Sequence, residues 1–172
     1  MTAKHLATGA LLAALLLPVA ADAAISFRGK VTATGAATTT LDLTLTGAEV
    51  VAGDIGLAHI SVSSTSATIT PPAGWTLQEA IDNGLTVRTA VYINTAPTAT
   101  TYQWTFSASV EAVGGIVTYS GVNRVTRVNI DGSGTNVAGT SHDAPSVTTT
   151  SANDQLITFY AAVAVGTWTA PS

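Results

Sequence analysis

The sequence predicts an all-β protein, a two-sheet antiparallel β-sandwich of jelly-roll type. Three observations carry that expectation. Tyr102, Trp104, Phe106, Ala108 and Val110 alternate with Thr101, Gln103, Thr105, Ser107 and Ser109. That is the period of a strand with one buried and one wet face. Turn residues punctuate the chain at short intervals, at Gly53-Asp54, Pro71-Pro72, Asn83-Gly84 and Gly114-Gly115. Charged residues make up only 9%, and Met occurs once. Such a balance belongs to short strands and tight turns, and no convincing helical stretch interrupts it.

The elements follow in order. In residues 41–46, Leu41, Leu43 and Leu45 alternate with Asp42, Thr44 and Thr46. Residues 55–62 form a nearly unbroken apolar run, as a central strand does. Pro71-Pro72 ends the next stretch, because proline cannot donate to a ladder. Gly74 lets the backbone bend, and Trp75 brings a large apolar surface back towards the interior. Residues 75–81 suit a strand or one helical turn, and Asn83-Gly84 decides for a hairpin, since both residues accept positive φ. The return strand, 85–94, puts Leu85, Val87, Thr89, Val91 and Ile93 on an apolar face and Thr86, Arg88, Ala90 and Tyr92 on the other. Gly114-Gly115 is expected to break the strand at 101–113, with a further strand at 116–119. Residues 123–145 read as a long crossover loop with one short strand at 125–130. A Thr-rich edge strand at 146–150 and a last core strand at 155–165 complete the pattern. The Gly53–Trp75 design recurs a hundred residues later, with Asn153-Asp154 before an apolar run and Thr169-Ala170-Pro171-Ser172 after it.

The first residues stand apart. Lys4 and His5 precede an apolar stretch, 6–19, and Ala21-Asp22-Ala23 offers small residues at a cleavage site. This is the pattern of a signal peptide, 1–23, cut after Ala23 or secondarily after Ala21. The apolar stretch is short for a membrane anchor. The β domain is then 24–172, with a secreted or cell-surface location expected and the periplasm as the alternative. No Cys is present, so the domain relies on its packed core. The net charge of −4, with six Lys and Arg in all, argues against nucleic acid and against an anionic membrane surface.

The residues also carry a resemblance. Gly53-Asp54, Thr70-Pro71-Pro72-Ala73-Gly74-Trp75-Thr76, Tyr102-Gln103-Trp104-Thr105-Phe106, Gly114-Gly115-Ile116, Tyr119-Ser120-Gly121-Val122 and Gly139-Thr140-Ser141-His142-Asp143-Ala144-Pro145 follow one another in fixed order. Together they resemble a jelly-roll β-sandwich module of secreted, surface and phage-associated bacterial proteins, over residues 25–172. The resemblance implies a fold and an extracellular or virion setting, and no catalytic residues. In that family further strands follow the second proline turn, whereas this sequence stops at Pro171-Ser172. The resemblance therefore implies missing last strands and an open sheet edge through which copies self-associate.

Little chemistry is legible. His59 lies within an apolar strand, where a lone histidine is usually a packed or hydrogen-bonded residue. His142-Asp143 has no Ser in a nucleophile elbow to serve, and Gly132-Ser133-Gly134 lacks the required form. The carboxylates sit mostly at turns, where Asp belongs for backbone reasons. Asn129, Asp131, Ser133 and Thr135 are the calcium candidates, offering oxygens from one loop without the acidic density of an EF-hand. Trp75, Trp104 and Trp168 fall on inward faces, which leaves Tyr92 as the aromatic expected on a wet face and the candidate binding residue. Thr-rich faces need no function, because Thr is a good strand former on a wet surface. The expected function is a non-catalytic structural or adhesion module contacting a glycan or a surface protein. A jelly-roll carbohydrate-binding module is the alternative, and a secreted glycan-acting enzyme the second.

Overall fold

The computed structural model describes residues 24–137, 139 and 141–162. The signal-peptide segment 1–23, Trp168 and the second proline turn lie outside the described residues. The described chain is all-β: β1 (Ser26–Thr44), β2 (Ile55–Val62), β3 (Ile69–Thr70), β4 (Thr76–Asn83), β5 (Val87–Asn94) and β6 (Thr101–Ser120). Among the described residues no helix is long and apolar enough to cross a membrane.

All six strands join one antiparallel sheet of order β1-β6-β2-β5-β4, with β3 paired to β6 off that path. The two long strands make the architecture. The first part of β6 pairs with the last part of β1 and with β3, whereas its second part lies between the first part of β1 and β2. A corner separates the parts. The β1–β6 register slips from Thr38↔Val110 to Thr40↔Thr105, and Ala37 sits at φ 47. Ser107, Ala108 and Ser109 at the bend are exposed, so the expected inward place of Ala108 gives way to the corner.

The corner brings the two arms of the sheet face to face, as the layers of a β-sandwich lie. Leu41 of one arm reaches over Gly114 of the other, where a Cβ would stand 2.9 Å from Leu41 Cδ2 and 2.6 Å from Ile60 Cδ1. Gly114 thus serves close approach and does not break the strand, so the 101–113 and 116–119 segments are one strand. Between the arms lies an aromatic core. Trp75 packs on Tyr102 and Trp104 with ring centroids 5.3 Å apart in each pair, and Tyr92 lies 6.3 Å from Trp104. Leu43, Ile60, Trp104 and Ile116 are fully sealed. Each such side chain contributes about 1.5–3 kcal/mol by leaving water.

Local rules explain the joints. Pro71-Pro72 ends β3, Gly74 turns at φ 87, and Trp75 N–H donates to the Pro72 carbonyl at 3.3 Å. Gly84, at φ 61, turns the β4–β5 hairpin, whose ladder closes at Asn83↔Val87. The loop before β2 is anchored by Asp54, buried, which accepts from Val51 N–H at 2.8 Å and pairs with Arg28 at 2.6 Å.

Other readings of the sequence also change. The faces of β5 are reversed: Ala90 and Tyr92 point into the aromatic core, while Val87, Thr89, Val91 and Ile93 form the opposite, outer face. Residues 125–130 and 146–150 are not strands, and neither is the described part of 155–165. The first part of β1, unassigned from sequence, is a strand from Ser26.

Candidate functional site: a covered groove on the outer sheet face

The pairing that sends Ala58, Ile60, Ala90 and Tyr92 inward sends their neighbours outward. Leu57 faces Ile93, His59 faces Val91, and Ser61 faces Thr89 across β2–β5. On the other side of β2, Leu57 faces Val117 and His59 faces Gly115. This outer face is apolar with one imidazole near its centre, because both faces of β2 and β5 carry apolar residues.

Described residues between 127 and 162 line the groove over this face without entering the ladder. Side chains pin them. Gln78 Nε2 donates to Asp131 Oδ2 at 2.7 Å, and Ser133 Oγ donates to Glu79 Oε1 at 3.1 Å. Phe159 stacks on His59, ring centroids 5.0 Å apart and planes 14° apart. Two asparagines brace the cover from within. Asn129 Nδ2 donates to Thr150 Oγ1 and Ser151 Oγ, and Asn136 bridges to the backbone of Asp143. In 157–161, Ile157, Phe159 and Ala161 are partly buried, whereas Leu156 stays 65% exposed. Between cover and sheet remains a cavity of about 740 Å³, lined by Leu57, His59, Ile81, Val91, Ile93, Ile130, Val147 and Phe159 among others. That volume lies in the range of about 300–1,000 Å³ usual for small-molecule pockets.

Electrostatics in the groove centre on His59. Burial pushes its imidazole down to about 4, so it is neutral at pH 7. Its Nε2 is sealed from solvent and has no hydrogen-bond partner. The sequence expected a packed or hydrogen-bonded histidine here, and the structure shows packing by Phe159 with no bond at Nε2.

The sequence-derived candidates fare differently. Tyr92 is not on a wet face. It is 2% exposed, its hydroxyl donates to the Ile69 carbonyl at 3.3 Å, and burial pushes the phenol up to about 12. Small Ala58 across the ladder leaves room for its ring on the inner side. Asn129, Asp131, Ser133 and Thr135 stay in one loop beside the cavity, but three of their side chains diverge. Asn129 turns to 150–151, Asp131 to Gln78, and Ser133 to Glu79. Among the described residues no group of His, Asp and Glu gathers as it would around a metal ion. Trp75 and Trp104 are inward as expected.

Sequence reasoning missed an aromatic pair of an exposed and a half-buried ring. Phe27, 57% exposed, meets Tyr119 edge-on at 5.8 Å where β1 pairs with β6. The signal was the parity of 116–119, which turns Tyr119 away from the face that buries Ile116 and Thr118.

Comparison with family models, curated proteins and solved structures gives no match to this chain.

Proposed function

We propose that this chain is a non-catalytic structural or adhesion module of a secreted, surface or virion-associated protein, acting through contact at its outer sheet face. The observation that carries the reading is the work given to the carboxylates. Asp42 accepts from Gln103 across β1–β6, and Glu49 holds Thr46 N–H. Asp54 anchors the loop before β2, and Asp82 pairs with Arg88 at 2.8 Å. Glu79 and Asp131 pin the cover to β4. Six acids thus bind strands and loops to one another, as suits a framework. The signal-peptide pattern and the resemblance to jelly-roll modules support the extracellular setting, with the periplasm as alternative, and no nucleic acid or membrane among the partners.

A glycan-binding role is favoured by one observation, the exposed Phe27 beside Tyr119, since aromatic rings on a sheet surface stack on sugars. A glycan array probed with the full chain, with and without calcium, and an assay for reducing ends released from the same glycans separate the readings. The adhesion reading expects retention on protein-coated surfaces, no sugar class retained and no reducing ends. Retention of one sugar class abolished by Phe27→Ala establishes the glycan reading, and turnover establishes an enzyme.

A further inference from the structure

Among the described residues the sheet ends on β1 and on β4. The β4 edge is irregular and engaged. A register shift lies between Leu77 and Glu79, and Gln78 and Glu79 hold the cover through Asp131 and Ser133. The β1 edge differs. Between its register shifts at Phe27/Gly29 and Gly35/Thr38 runs a regular stretch, Gly29 to Gly35. The Gly29 carbonyl accepts from Thr118 Oγ1 of β6 at 3.3 Å. The Val31 carbonyl stands 3.0 Å from where a Cβ on Gly115 of β6 would lie. Both therefore point towards β6. Successive residues of a strand turn their backbone groups to opposite sides. Lys30, Thr32 and Thr34 thus present N–H and C=O away from β6, and all three are exposed. Such an edge is a template for another strand.

We propose that β1 pairs antiparallel with β1 of a second copy of this chain, about a two-fold axis through Thr32, to make one continuous sheet across a dimer. The occupant is a second copy because the edge complements itself. Thr32 is the midpoint of the regular stretch, so a two-fold there pairs all of it. Thr32 meets Thr32 of the second copy, Lys30 meets its Thr34, and Thr34 its Lys30. Each of these pairs exchanges both backbone hydrogen bonds. On the inner face Val31 meets the small Ala33 of the second copy. Charge fits as well. Lys30, opposite Val117, and Glu111 share the outer face, and Glu111 lies beyond the Gly35 end of the stretch. Neither side chain has a partner among the described residues. The two-fold turns Lys30 of each copy towards the Glu111 end of the other. It also holds the two Lys30 residues about 14 Å apart, beyond the ~10 Å screening length at 0.1 M salt. The dimer stands apart from the proposed contact role, and its failure leaves that role untouched.

Sedimentation velocity of the full chain over a concentration series tests the pairing. The wild type is expected to pass from monomer to dimer and no further, because a two-fold contact uses up the edge. Thr32→Pro removes an N–H that β6 does not use, so it should stay folded and monomeric. Thr32→Cys gives the Cys-free chain a single thiol, which should close a disulfide between copies on oxidation. Paired Cα atoms about 5.5 Å apart suit that bond. Lys30→Cys should not crosslink, because it faces Thr34. Lys30→Glu and Glu111→Lys should each weaken the dimer about tenfold and restore it when combined. Near-UV circular dichroism checks that each variant keeps the aromatic core. A folded wild type that stays monomeric overturns the proposal, as do species larger than a dimer or a dimer that survives in folded Thr32→Pro. So does a disulfide that forms as readily in Lys30→Cys as in Thr32→Cys. The two cysteine variants decide if Thr32→Pro misfolds.

Discussion

Trp104 is the residue on which the aromatic core turns. It is fully sealed and touches the rings of both Trp75 and Tyr92, so it links the two arms of the bent sheet. Trp104→Ala removes that link and leaves a cavity, at a cost of about 3–5 kcal/mol. Phe27→Ala, at an exposed site, should change stability by less than about 0.5 kcal/mol. Urea denaturation of both variants checks the contrast, and comparable losses would place the core elsewhere. His59 carries a pH dependence. Its folded pKa is depressed to about 4 by burial, below the ordinary 6.5, so the unfolded chain binds the proton more readily. Stability from this group is complete above pH 6.5 and is lost as pH falls towards 4, by up to roughly 3 kcal/mol. His59→Phe should flatten the stability profile between pH 6.5 and 4. A profile unchanged by the substitution would show the imidazole to be solvated.

At the scale of elements, the strands with one clear buried face were legible in the sequence. Tyr102, Trp104 and Phe106 are buried, and Thr101, Gln103 and Thr105 between them are exposed, as their alternation required. The hairpin expected at Asn83-Gly84 forms, but only Gly84 takes a positive φ: Asn83 stays in β4, and the loop is Gly84-Leu85-Thr86. The faces of β5 were not legible, because both are covered: Tyr92 by the inner core, Val91 and Ile93 by described residues between 127 and 162. Alternation gives a period, and it does not say which side is in when both sides are apolar. Gly114 misled for a related reason. A glycine that makes room for Leu41 and Ile60 looks in sequence like one that ends a strand. The corner of β1 was equally hidden, since Ala37 adopts a left-handed φ of 47 with no glycine to announce it. Ala37→Gly relieves that backbone, which costs a non-glycine residue about 1–2 kcal/mol, against a glycine entropy cost of about 0.5–1 kcal/mol. A net gain of up to about 1.5 kcal/mol in urea denaturation is expected, and a loss would contradict the strained corner.

At the scale of the molecule, one sheet has two unlike faces. The inner face is closed on itself by the bend and holds every large ring the sequence predicted to be inward within the described residues. The outer face is roofed by a segment that contributes side-chain contacts but no ladder, with Val125, Val137 and Leu156 left largely exposed. The sequence expected strands at 146–150 and 155–165 because the first is rich in Thr and the second is an apolar run. Composition specifies a strand only where a neighbouring edge supplies backbone partners, and among the described residues none is paired with these segments. This asymmetry is the physical basis of the proposed contact role, since an apolar face roofed by side-chain contacts alone, with no ladder, is where a partner gains most by binding. Hydrogen–deuterium exchange of the full chain, followed by mass spectrometry of its peptides, reads both faces at once. Amides of β2, β5 and β6 should exchange slowest, and those of 124–137 and 141–162 within the shortest labelling times. A roof as slow to exchange as β6 would mean that it is a bonded layer of the fold, and the outer face would then not be a surface open to contact.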